Sequence, residues 1–352
     1  DVPARWQAMV RAMRNNGRPG LVSCAISAVD TALWDLKGKL LGLPVCRLLG
    51  MAHDSVPIYG SGGFTSYDDN ATRAQLERWV HEWRIPRVKI KIALWDLKGK
   101  LLGLPVCRRS MAHDSADLRQ RRFHQLRRQR HPRPAGTLGA RVADPARQDQ
   151  DRRVLGSHER RDLDRIALAR TVIGPDTELY VDANGGYRRK QAIRMAHAMA
   201  GHDVTWFEEP VSSDDLAGLR EVRDQVSADV TAGEYGYDLA YFHRMLAADA
   251  VDCLQIDVTR CGGITDWLRA AAVAAAHNVD VSGHCAPNLH AHVATAVANL
   301  RHLEYFHDHH RIEQMFFDGA LSPQGGVLRP DQHRPGFGLE FKHRDADRYR
   351  VR

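Results

Sequence analysis

Short apolar runs recur along the second half of the chain, and each ends on an ionisable residue. Leu179-Tyr180-Val181 precedes Asp182, Val204-Thr205-Trp206-Phe207 precedes Glu208, and Val230-Thr231-Ala232-Gly233 precedes Glu234. Cys253-Leu254-Gln255-Ile256 leads to Asp257, Val279-Asp280-Val281-Ser282-Gly283 to His284, and Leu303 to Glu304. The intervals between these six residues are 26, 26, 23, 27 and 20 positions, the length of a strand plus a helix. Near-continuous apolar runs read as strands buried on both faces. One acid after a strand is ordinarily a helix N-cap. Six polar groups in phase with the repeat instead describe the mouth of a β/α barrel, where functional groups come from several strand ends.

The rest of the chain fits around that repeat. Residues 4–15 and 21–42 read as helices, with Ala25, Ala28, Val29, Ala32, Leu33 and Leu36 at helical spacing. Pro57-Ile58-Tyr59 opens the first barrel strand and a helix follows near 70–83. Arg87 to Ile92 forms the second strand, and His158 to Val172 the helix after it. Further helices are expected at Leu239–Ala247 and Ile264–His277. The Gly/Pro-rich tail from Gly325 should leave the barrel and join the N-terminal helices. The expected division is a capping remnant at 1–55, a barrel at 56–320 and a returning tail at 321–352.

One segment breaks the pattern. Ala32 to Arg47 recurs unchanged at Ala93 to Arg108, and Met51 to Ser55 recurs at Met111 to Ser115. Beyond Ser115 the copy continues only at the level of codons. Ser66 to Thr72, written with C-ending codons and read out of frame, gives Gln-Leu-Arg-Arg-Gln-Arg-His, which is Gln125 to His131. Residues 93–155 therefore read as a duplicated insertion, partly frame-shifted and expected to be disordered.

That insertion also explains the charge. The formal charge is +7, and residues 116–155 carry eleven Arg and four Asp without Lys or Glu, which accounts for all of it. A nucleic-acid partner is therefore not expected, despite the basic balance. No apolar stretch approaches the ~18 residues of a membrane span. The first residues lack the pattern of a secretory signal, and the six cysteines form no CxxC pair. A reduced, cytoplasmic protein is expected.

The strand ends carry the chemistry. Asp182, Glu208 and Glu234 are hard oxygen ligands on consecutive strands, and three converging carboxylates call for a divalent cation, Mg²⁺ in preference to zinc. Asn184 and Glu209 are candidate supporting groups. Lys89 and Lys91 alternate along one strand and face the same mouth. Each should lower the other's pKa towards that of a general base. Asp257 and His284 end neighbouring strands and read as a dyad in which the acid fixes the imidazole tautomer. His290-Ala291-His292 and His307-Asp308-His309-His310 read as ordinary surface histidines rather than a second metal site.

These motifs together resemble the enolase superfamily, and within it the mandelate racemase subgroup. The matching runs are Val88-Lys89-Ile90-Lys91, Val181-Asp182-Ala183-Asn184, Phe207-Glu208-Glu209-Pro210, Gly233-Glu234, Ile256-Asp257-Val258-Thr259-Arg260-Cys261-Gly262-Gly263, Ser282-Gly283-His284 and Leu303-Glu304. They span about residues 20–92 and 156–345. The resemblance implies a modified TIM barrel, (β/α)7β, with a partial α+β capping domain, and homo-oligomeric assembly.

It also implies removal of the proton next to a carboxylate through an enolate intermediate. Asp182, Glu208 and Glu234 would hold Mg²⁺, Lys91 would be the base on one face with Lys89 assisting, and His284 with Asp257 would act on the other. Glu304 matches the acid that hydrogen-bonds the substrate carboxylate, and Arg260 stands where some relatives carry a lysine. The implied substrate is a small carboxylate, a sugar acid dehydrated to a 2-keto-3-deoxy acid. A racemase or epimerase and an inactive product of a damaged gene are the alternatives. Against the family pattern, the chain starts inside the capping domain's helices, so its sheet and specificity loops are expected to be missing.

Overall fold

The near-continuous apolar strands suit a parallel sheet buried on both faces, and here that sheet closes on itself. The structure is a computed structural model describing residues 1–93 and 159–351. The disorder expected for the insertion concerns residues that, apart from Ala93, lie outside those described. Eight parallel strands close a ring in chain order: β1 (Val56–Gly62), β2 (Arg87–Lys91), β3 (Glu178–Asp182), β4 (Val204–Glu208), β5 (Asp229–Ala232), β6 (Cys253–Ile256), β7 (Asp280–Gly283) and β8 (Leu300–Phe306), with β8 paired back to β1. A short antiparallel pair, Val327–Leu328 on the start of β1, caps one seam.

Register sets the functional level. Lys91 lies opposite Asp182 in the β2–β3 ladder, and Asp182 lies opposite Glu208 in the β3–β4 ladder. One lysine and two acids therefore leave the sheet at one height. Lys89 sits one pleat lower and faces the same interior, as the two-residue period requires. At the opposite mouth, Arg87 pairs with Glu178 at 2.9 Å, while Arg301 pairs with Asp229 at 2.5 Å and Asp280 at 3.4 Å.

Several acids between strand and helix are ordinary caps. Asp215 accepts from Gly218 N at 3.1 Å and Asp238 from Tyr241 N at 2.8 Å, starting helices Leu216–Arg223 and Leu239–Ala247. The helix expected near 70–83 begins at Asp69 with Asp68 as its cap, then widens into a π-turn at Arg78–Glu82.

The N-terminal helices, α1 (Val2–Ala12) and α2 (Leu21–Leu41), dock onto the loops after β5 and β6. Trp6 Nε1 donates to Gly262 O at 2.8 Å, and Ser27 Oγ accepts from Gly262 N at 2.8 Å. Buried Asp30 accepts from Thr265 through both its backbone N, at 2.9 Å, and its hydroxyl, at 2.7 Å. Ser23 Oγ donates to Tyr237 O at 2.5 Å. The tail packs on the same helices: Phe337 N donates to Asp35 Oδ1 at 2.9 Å, and Val45 N to Gly336 O at 2.8 Å. No described helix is long and apolar enough to cross a membrane.

Candidate active site

The strand-end acids meet where register and turns put them. Asp182 and Glu208 are the last residues of β3 and β4, whereas Glu234 lies two residues past β5. Gly233 makes that extension possible. Its φ is +134°, and a Cβ there would lie 2.2 Å from the carbonyl oxygen of Gln255. Carboxylate oxygens of Asp182, Glu208 and Glu234 come within 4.8 Å of one another, all buried.

Lys89 is fully buried, its Nζ 2.5 Å from Glu208 Oε1, 2.8 Å from Glu304 Oε1 and 3.5 Å from Asp182 Oδ2. The Lys91 ammonium sits on Asp182 Oδ2. This corrects the expected direction of the lysine pKa values. Burial works against both charges, but Glu208 and Glu304 around Lys89, and Asp182 at Lys91, outweigh it and hold both amines charged. The same cations hold Asp182 and Glu304 below the ordinary carboxylate range against the cost of burial.

On the far side, His284 follows β7 and Asp257 follows β6. His284 Nδ1 lies 2.8 Å from Asp257 Oδ2, and its Nε2 lies 3.3 Å from Glu234 Oε2. Burial opposes charge on Asp257, yet the His284 hydrogen bond takes it down to about 2. Burial likewise opposes charge on the ring, but Cys285, Glu234, Glu304 and Asp257 raise its pKa well above normal. Since burial pushes the Cys285 thiol up to about 12, the ring's charge rests on the three carboxylates near neutral pH. Arg260 bridges the two halves, with Nε 3.3 Å from Asp257 Oδ2 and Nη1 3.3 Å from Glu234 Oε1.

The supporting residues differ in part from expectation. Asn184 reaches Asp182 through its backbone N, at 2.8 Å, from a left-handed conformation. Glu209 is buried in a left-handed conformation, and its Oε1 has no hydrogen-bond partner. Glu304 accepts from Ser61 Oγ at 2.5 Å on one oxygen and from Cys285 N at 3.1 Å on the other. His290 and His292 are core residues, not surface ones. His290 Nδ1 donates to Cys285 O at 2.8 Å, and His292 Nδ1 accepts from Cys46 N at 3.3 Å. The histidines of 307–310 are half-buried: His309 Nδ1 accepts from Ala286 N at 2.9 Å, and His310 Nδ1 lies 2.5 Å from the Tyr305 hydroxyl.

A lower ring of polar groups went unnoticed in the sequence. Trp206 Nε1 and Gln255 Nε2 each donate to Glu208 Oε2 at 3.2 Å, and Gln255 Nε2 reaches the Tyr59 hydroxyl at 3.0 Å. Trp206 and Gln255 stand two residues before Glu208 and Asp257, so the strand period carries the signal that identifies them.

The donor set fits a divalent cation. Six buried carboxylates (Asp182, Glu208, Glu209, Glu234, Asp257 and Glu304) face Lys89, Lys91, Arg260 and a charged His284, leaving two negative charges over. Glu234 Oε2, buried, makes no hydrogen bond. The excess also appears as retained protons: burial, then Asp182, push Glu208 up to about 8. Oxygen ligands with no soft donor among the three suit Mg²⁺.

Two family profiles match the chain. "Enolase C-terminal domain-like" covers residues 140–346, and "Mandelate racemase / muconate lactonizing enzyme, N-terminal domain" covers residues 1–50. The chain belongs to the enolase superfamily. A mandelate racemase/muconate lactonizing enzyme-like protein from Rubrobacter xylanophilus is 41% identical, with TM-score 0.77 over 99% of this chain and 79% of its own. The L-talarate dehydratase of Polaromonas sp., solved with Mg and L-glucarate, is 25% identical, with TM-score 0.73 over 99% and 78%. D-galactarolactone cycloisomerase of Agrobacterium fabrum is 28% identical over 97% of this chain and 77% of its own length. One of these relatives is a dehydratase solved with magnesium and another is a cycloisomerase, so the similar proteins are named for different outcomes on the substrate.

Proposed function

We propose that this protein is a lyase that removes the proton beside the carboxylate of a sugar acid and expels a β-hydroxyl as water. The product is a 2-keto-3-deoxy acid. The observation that carries this reading is the placement of two proton-transfer groups around one carboxylate cluster. Lys91 approaches it through Asp182 on β3, and His284 through Glu234 after β5.

Asp182, Glu208 and Glu234 would hold Mg²⁺, which when bound withdraws electron density from a substrate carboxylate and acidifies the adjoining C–H. With the Asp182 charge engaged by a cation, burial and the neighbouring Lys89 ammonium both push the Lys91 amine towards its neutral, basic form. Lys91 Nζ then takes the α-proton, and His284 Nε2 gives its proton to the departing hydroxyl. Asp257 keeps Nδ1 protonated and the ring aimed. Lys89 holds Glu208 and Glu304 in place rather than exchanging protons with solvent. The enol so formed tautomerises to the keto acid.

The same pair of groups supports a second reading, in which His284 returns a proton to the α-carbon from the other side and inverts it. A cycloisomerase also stands among the relatives. Incubating a library of sugar acids with the protein and Mg²⁺ in heavy water separates the readings. Keto acid formation supports dehydration. Deuterium at the α-carbon without keto acid supports epimerisation. No exchange with any sugar acid from folded, Mg²⁺-binding protein overturns both and leaves an inactive chain.

A further inference from the structure

His284, Cys285 and Glu304 form a second cluster of possible ligand atoms, distinct in chemistry from the three-carboxylate set. Cys285 Sγ lies 3.4 Å from His284 Nε2 and 3.2 Å from Glu304 Oε2, and Nε2 lies 3.5 Å from Oε2. Tetrahedral zinc, with Zn–S near 2.3 Å and Zn–N or Zn–O near 2.0–2.2 Å, sets its donor atoms about 3.3–3.6 Å apart. The triangle is therefore of a size to seat such an ion. All three residues are buried.

The surroundings have the form of a supporting shell. Asp257 binds the other ring nitrogen of His284, giving the carboxylate–histidine arrangement that orients a metal-binding imidazole. Ser61 and Lys89 fix the other oxygen of Glu304. Cys285 and Ala286 both stand in the left-handed region, at φ +53° and +40°, and His290 and His309 hold that turn by hydrogen bonds to Cys285 O and from Ala286 N. Strain of this kind in two successive non-glycine residues is maintained at functional positions. A further observation points to a cation: Glu234 Oε2, buried and without a hydrogen-bond partner, lies 3.3 Å from His284 Nε2.

We propose that His284 Nε2, Cys285 Sγ and Glu304 Oε2 chelate a thiophilic divalent cation, zinc being the natural one, beside the magnesium ligands. Bonds form from the metal to sulfur and to Nε2, the S–H proton and the Nε2 proton of the charged ring both pass to solvent, and thiolate and carboxylate together match the ion's charge. Such an ion takes up the nitrogen that the proposed reaction needs, so zinc is an inhibitor of this protein rather than a substitute for magnesium. Sulfur selects for it, since Mg²⁺ has little affinity for thiolate.

The test is a titration of Mg²⁺-saturated protein with Co²⁺, a spectroscopic stand-in for zinc. The expected result is a near-ultraviolet thiolate-to-cobalt band saturating at one ion per chain. Zn²⁺ should displace it, and Cys285→Ser should abolish it while Mg²⁺ binding by calorimetry persists. Asp257→Asn should weaken Zn²⁺ binding by roughly 10–100-fold. Cobalt binding without the band, or a band that survives in Cys285→Ser, overturns the proposal. Anomalous scattering at the zinc edge from wild-type crystals decides independently of any variant: density away from these three atoms refutes it.

Discussion

Asp257 Oδ2 and His284 Nδ1 lie 2.8 Å apart, joining the loop after β6 to the end of β7. With Nδ1 so occupied, Nε2 is the nitrogen that faces Glu234. Asp257→Asn keeps the shape but can hold the opposite tautomer, so turnover should fall by about 10²–10⁴-fold. Mg²⁺ binding by calorimetry should change little. Undiminished turnover would show that the ring needs no partner.

Magnesium affinity should depend on pH in a direction set by Glu208. Burial and Asp182 raise its pKa to about 8 without the ion, so below that pH binding must displace a proton. Affinity should therefore strengthen as pH rises towards 8, by at most about tenfold per unit, and then level off. Calorimetry in buffers of different ionisation enthalpy should detect the released proton. Affinity that is flat from pH 6 to 8 would contradict the assignment.

Lys89 touches Glu208 and Glu304 with no exposure to solvent. Lys89→Met leaves the buried Glu304 carboxylate without its nearest cation and Glu208 without one of its hydrogen-bond partners, and should cost on the order of 3–5 kcal/mol in urea unfolding. Lys91→Met, at the edge of the same cluster, should cost less stability yet remove α-proton exchange.

How much of this could be read from the sequence depends on what each residue answers to. Asp182 and Glu208 were legible because they end apolar strands, and the barrel followed from their spacing. Glu234 kept the phase although the strand stops at Ala232, because Gly233 carries the chain onward. Lys89 and Lys91 were legible as positions but not as charges: their pKa values depend on carboxylates from other strands. His290 was misjudged because its partners, Cys285 O and Val258 N, come from folded loops and leave no local pattern. The docking of α1 and α2 was equally hidden, since Trp6 and Gly262 stand 256 residues apart.

Asp30 offers a test of that docking. Burial, despite hydrogen bonds from Thr265, raises its pKa from 3.8 to about 6. The folded state therefore holds a proton more tightly than the unfolded chain, and stability present below pH 4 is lost as pH rises to 6. Asp30→Asn should remove that slope, a difference on the order of 2 kcal/mol across the window. Chemical unfolding at pH 4, 5 and 6 checks it, and parallel curves for the two proteins would refute it.

Gly233→Ala should be far more harmful than an exposed glycine substitution. A methyl group there meets the Gln255 carbonyl at 2.2 Å, so the turn must shift and Glu234 with it. Magnesium affinity should drop by about tenfold or more while the far-ultraviolet spectrum stays that of a barrel. Wild-type affinity in this variant would show that the turn adapts freely.

Trp6 and Ser27 both grip Gly262, five residues beyond one half of the acid–imidazole pair. Aim at the reacting carbon is thus borrowed from outside the cylinder. Cleave the connector near residues 50–55 and wash the leading fragment away, and the staves should still stand, yet the machine they enclose would fire wide.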